Sequence, residues 1–85
     1  MNKKNMFTVG NLTYELTDEN NCTVTKCNNK KITEIAICSK VVNDNKLYNV
    51  ISVGKDTFNN TNIKKVYLDN GICFYNSSKF TILKY

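Results

Sequence analysis

Histidine, arginine, tryptophan and proline do not occur in this sequence, and glycine occurs three times. Without His, the commonest general base and metal ligand is gone. Without Arg, the usual bidentate reader of bases is gone. All twelve basic residues are Lys; against seven acidic residues they leave a net charge of +5. A basic domain can be drawn to phosphates. These Lys residues, however, are spread along the whole chain, with pairs at Lys3–Lys4, Lys30–Lys31 and Lys64–Lys65. That distribution is the one expected of solvated turns and strand faces. Gly10, Gly54 and Gly71 are each explained by a turn, and no phosphate-cradling Gly-rich motif is present. Nor is there a run of about 18 apolar residues, the length of a membrane span. The basic N-terminus lacks the apolar segment of a signal peptide behind it. The expectation is a cytoplasmic protein if the chain is complete. If it is a piece of a longer one, the cell surface or the exterior becomes the expected location.

Eighty-five residues suffice for one small domain. A domain of that size buries about 60% of the surface its unfolded chain exposes, so its stability is modest. Hydrophobic residues make up 41% of the chain and charged residues 22%, which argues for folding rather than disorder. Of the four Cys, Cys22 and Cys27 bracket T-V-T-K, but Cys38 and Cys73 form no matching second pair for a zinc site. Without an export signal, free thiols that pack as small buried hydrophobes are expected.

Along the chain, alternation with a period of two dominates. Residues 1–5 are polar and expected to be disordered. Met6 to Val9 and Leu12 to Leu16 alternate on either side of Gly10-Asn11, the signal of a two-residue type II′ hairpin. Leu12, Tyr14 and Leu16 share a face. Cys22 to Cys27 is rich in β-formers and makes a third strand. Ile35 and Ile37 share a face of the next run. Val41-Val42 and Leu47 to Val50 flank Asn43-Asp44-Asn45-Lys46, a second hairpin. Val50, Ile51 and Val53 then form a short apolar run. Asp56 is placed to cap a short helical turn over Thr57-Phe58-Asn59, with Phe58 pointing inward. Ile63 to Leu68 is the next strand, with Val66 and Leu68 on the face that Ile35 and Ile37 hold earlier. Asp69-Asn70-Gly71 turns. Ile72 to Phe74 and Phe80 to Tyr85 form an abbreviated further unit around a corner at Asn76-Ser77-Ser78.

The sequence I-x-x-I-x-I (Ile32, Ile35, Ile37), a β-loop, Y-x-V-I-x-V-G (Tyr48, Val50, Ile51, Val53, Gly54) and then F-x-N-x-x-I-x-x-V-x-L (Phe58, Asn60, Ile63, Val66, Leu68) resembles the BspA-type leucine-rich repeat. The segment F-T-V-G-N-L-T-Y-E-L…C-T-V-T resembles the β cap that precedes the first repeat in that family. The likeness covers residues 7–68 well and 69–85 loosely. Thr57 stands where the family carries Ala, and Cys38 and Asp69 where it carries Pro. Phe58 and Phe74 are closer than the family's period of about two dozen residues. The resemblance implies a mainly β fold with short helical turns: a leucine-rich-repeat-like solenoid segment with an N-terminal β-hairpin cap. Its divisions are a β cap over 6–31, then one full and one abbreviated repeat over 32–85. In such arrays each unit has an apolar face that only a stacked neighbour buries.

No catalytic motif is present, and no cofactor or metal is expected. Asp18, Glu19, Asp44 and Asp69 sit in turns; Glu15 and Glu34 lie on strand faces opposite apolar ones. N-x-S/T triplets begin at Asn11, Asn21, Asn59 and Asn76, as a chain rich in Asn and Thr produces by chance. The resemblance therefore points to a protein-interaction module without catalysis. Its partner, another protein, is expected on the sheet face bearing Lys65, Tyr67 and Asp69 or at the last strand edge with Ile82 and Tyr85. That edge also offers self-association by β-addition. The alternative is a small basic all-β domain of barrel or OB-like type that binds nucleic acid through Lys and Tyr, against which the absence of Arg argues.

Overall fold

A computed structural model describes residues 5–74 and 79–84. The corner at Asn76-Ser77-Ser78, the N-terminal tail and Tyr85 lie outside the described residues. The fold is mainly β, with nine strands: β1 (Met6–Val9), β2 (Leu12–Leu16), β3 (Asn21–Cys27), β4 (Glu34–Ile37), β5 (Lys40–Asn43), β6 (Lys46–Val53), β7 (Lys65–Leu68), β8 (Cys73–Phe74) and β9 (Thr81–Lys84). Both expected hairpins form. β1 and β2 pair antiparallel from Val9↔Leu12 to Met6↔Glu15, with Gly10 at φ +61°. β5 and β6 close over Asp44 and Asn45, at φ +53° and +65°. Two successive left-handed residues make this a type I′ turn, whose twist suits the flanking strands.

The first sheet runs β1-β2-β3-β6-β5 and the second β4-β7-β9. β6 organises the first. One of its edges takes β3 in parallel, and the other takes β5 antiparallel at one end and β8 in parallel at the other. The path curls until its end strands β1 and β5 approach each other. Inside the curl Phe7 stacks on Tyr14 with ring centroids 5.2 Å apart and meets Tyr48 at 5.4 Å. Leu12, Tyr14, Cys22, Val24, Val50 and Val53 are buried beside them.

Two buried pairs break the period of two: Val24 with Cys27, and Val50 with Val53. At each the register shifts, between Thr13 and Tyr14 opposite β3 and between Cys22 and Thr23 opposite β6. An extra residue in one strand restores the inward direction three positions on. Ile51 is the extra residue of β6. It is therefore exposed rather than part of an apolar run with Val50 and Val53.

The second sheet is parallel and in register: Ile35↔Val66 and Ile37↔Leu68, then Val66↔Ile82 and Leu68↔Lys84. Val66 and Leu68 thus lie beside Ile35 and Ile37 on one inward face, as the alternation predicts, and both are fully buried. Phe58 is buried beneath the connection from β6 to β7. Its ring meets Phe74 at 6.0 Å and Phe80 edge-on at 5.5 Å; Phe74 and Phe80 lie 5.6 Å apart. Phe74 is paired with Val53, not placed as the counterpart of Phe58. β9 keeps a continuous parallel register with β7.

The expected helical turn at 57–59 is a correction: no helix occurs among the described residues. Residues 55–60 make successive turns in which Thr57 N donates to Gly54 O and Asn59 N to Asp56 O. Asp56 caps no backbone N–H; its Oδ1 accepts from Asn59 Nδ2. The backbone is drawn into cross-chain bonds instead. Cys27 N donates to Thr57 O, Gly54 N to Val24 O at 2.8 Å, and the buried Thr57 hydroxyl to the same Val24 O at 3.1 Å. Ala at 57 could not make the last bond.

The turn after β2 is built on Asp18. Its carboxylate accepts from Asn20 N (2.9 Å), Asn21 N (3.0 Å) and the Asn21 side-chain amide. The Asn20 N–H, then the Asn21 groups, hold its carboxyl below the usual carboxylate range. Its folded-state pKa is depressed, so its stabilising contribution is complete above the unfolded value of about 4 and lost as pH falls through the folded one. Asp18→Asn should flatten the acid limb of a urea-midpoint-versus-pH profile. Superimposable profiles would show that this turn carries none of it.

Candidate functional site

The outward face of β4-β7-β9 follows from the same register. If Val66 and Leu68 point in, Lys65 and Tyr67 point out. Pairing then aligns Glu34, Lys65 and Thr81 in one row and Ala36, Tyr67 and Leu83 in the next. Glu34, Ala36, Lys65, Thr81 and Leu83 are exposed, and Tyr67 is half-buried between its neighbours. Leu83 keeps 39% of its surface in water. The Tyr67 hydroxyl donates to Glu34 Oε1 at 3.4 Å, which ties the two rows together. Opposite charges face each other at Glu34 and Lys65, a favourable cross-strand pairing.

Of the residues named from sequence, Lys65 and Tyr67 are brought together on this face. Asp69 follows them, but its carboxylate is engaged. Oδ2 accepts from Ser39 N at 2.8 Å, and Asp69 N donates to Ile37 O at 3.2 Å. Both bonds stitch the exits of β4 and β7, and proline at 69 could not supply the second. Ile82 turns inward beside Val66 and packs against the core. Tyr85 lies outside the described residues. Ala36, Thr81 and Leu83 complete the face and were not named from sequence. Two-residue alternation marks them as outward, but only pairing across the sheet shows which neighbour each meets.

Elsewhere the polar face of the first sheet is internally satisfied. Lys40 Nζ donates to Asn49 Oδ1 (2.7 Å), Asn49 Nδ2 to Asn21 Oδ1 (3.1 Å), and Asn21 Nδ2 to Asp18. Thr23 and Ser52 share a hydrogen bond of 2.6 Å between their hydroxyls. Lys46 Nζ lies 5.2 Å from the centre of the Tyr48 ring. These groups spend their polar atoms on register.

The four thiols are free. Cys22 and Cys27 are buried as expected of small hydrophobes, whereas Cys38 and Cys73 are exposed, a correction to that expectation. Burial pushes the Cys22 thiol up to about 11, so it stays protonated at neutral pH. Burial, with the Cys22 and Cys38 thiols nearby, raises the Tyr14 hydroxyl as well. Among the described residues no three His, Cys, Asp or Glu side chains gather as a metal site would need. No helix among them is long and apolar enough to cross a membrane.

No family model, no curated protein and no solved structure matches the chain.

Proposed function

We propose that the chain is a non-catalytic protein-interaction module: a leucine-rich-repeat-like solenoid segment of BspA type behind a β-hairpin cap. Its partner, another protein, docks on the outward face of β4-β7-β9. The observation that carries the reading is the in-register parallel ladder Ala36–Tyr67–Leu83, an apolar row bordered by Glu34, Lys65 and Thr81. Rows of side chains at strand spacing suit a partner laid across the strands. Tyr is among the residues that dominate binding energy when a partner desolvates them. Among the described residues β9 ends its sheet, and its outer edge offers a second mode, addition of a strand from a partner or another copy. Parallel pairing of β3 with β6 and of β6 with β8 supports the stacked-repeat part of the reading.

Peptides selected against the folded chain from a random display library provide a test that needs no known partner. Tyr67→Ala should weaken the selected peptides by about tenfold or more, on the order of 1.4 kcal/mol. Thr13→Ala, on the first sheet, should leave them unchanged. Peptides indifferent to Tyr67→Ala would count against the face. Oligonucleotide affinity that falls steeply with salt would favour the nucleic-acid reading instead.

A further inference from the structure

We propose that Asn70–Gly71 is a self-modifying site, at which the Asn70 side chain cyclises onto the Gly71 amide nitrogen and opens to aspartate or isoaspartate. It is the chain's one Asn-Gly pair. Both residues are exposed in the turn joining β7 to β8. Gly71 has φ +88°, the conformation that the third residue of a type II turn requires. Among the described residues, chain neighbours aside, nothing lies within 4 Å of where its Cβ would stand.

Asn20, Asn49 and Asn62 differ at the attacking atom. The N–H after Asn20 is held by Asp18 Oδ1 at 3.0 Å. That after Asn49 donates to Ser39 O at 2.8 Å, and that after Asn62 to Thr61 Oγ1 at 3.4 Å. Each bond removes the nitrogen from attack and fixes its peptide plane. No such bond to a described residue engages the Gly71 N–H or the Asn70 amide. This peptide can therefore rotate into line at little cost.

The chemistry needs only water. Solvent base takes the Gly71 amide proton, and the nitrogen bonds to Asn70 Cγ. The Cγ–Nδ2 bond breaks, and ammonia leaves carrying a proton. Water then adds to either carbonyl of the succinimide and breaks one of its two C–N bonds. No electron is transferred. The product gains one negative charge, which lowers the net charge from the initial +5 by one, and its new carboxylate adjoins Asp69. The isoaspartyl form also inserts a methylene into the main chain between Leu68 and Ile72, both buried. It therefore pulls on the connection that seats β8.

The test is a time course of the folded chain at mildly alkaline pH, followed by peptide mapping with mass spectrometry and isoaspartyl methyltransferase labelling. Conversion at position 70 should lead that at every other Asn, and Asn70→Gln should abolish the first acidic species. Earlier conversion elsewhere would overturn the proposal. So would a rate at Asn70 far lower in the folded chain than in urea. Should the variant misfold, the wild-type comparison between folded and urea-unfolded chains decides alone.

Discussion

Phe58→Ala should remove a large part of the stability of the fold. A chain of this length is held by about 4–13 kcal/mol in total. Truncating a buried Phe costs about 3–5 kcal/mol through lost burial and the cavity left behind. Phe58 is 6% exposed and touches both Phe74 and Phe80. Those two rings are half-buried and complete the core at the β8–β9 end. Loss of the central ring should therefore loosen β8 and β9 first, then the whole sheet. Urea unfolding followed by far-ultraviolet circular dichroism should show a markedly lower midpoint, falling to no transition if the wild type sits at the low end of its stability range. Phe58→Leu, which keeps most of the volume, should stay folded with a smaller loss. If Phe58→Ala unfolds like the wild type, the ring does not hold the connection.

Leu68→Ala should follow at about 2–5 kcal/mol. Leu68 is fully buried and sits in the ladder between Ile37 and Lys84. Its loss empties the inward face of the second sheet while leaving the outward row intact. Amide hydrogen exchange should show protection falling in β4, β7 and β9 together, because these strands share that face. Protection lost in β7 alone would mean that the three strands do not form one cooperative unit.

Much of this arrangement can be read directly from the chain, for physical reasons. Gly10-Asn11 and Asp44-Asn45 mark hairpins because their residues tolerate left-handed backbone between alternating strands. Ile35 with Ile37, and Val66 with Leu68, each declare one face of their own strand by spacing. The bulges are not legible in the same way. The apolar run Val50, Ile51 and Val53 does not show which of its members turns outward, and only pairing with β3 reveals Ile51 as the extra residue. The parallel partnership of β3 and β6 joins residues 28–29 apart in sequence, beyond any local pattern. Asp56 has the composition of a cap, yet the turns of 55–60 are set by Gly54, Thr57 and Cys27 bonding across the chain. Asp69 shows the same limit at the candidate site. Its place at the end of an outward strand suggested a contact residue, whereas the bond to Ser39 N makes it a brace.

The most direct test of the docking face is amide chemical-shift mapping with a display-selected peptide. Shifts should cluster at Glu34, Ala36, Lys65, Tyr67, Thr81 and Leu83, with β1 and β2 unmoved. Shifts centred on β1, β2 and β3, with those six residues silent, would contradict docking on this face.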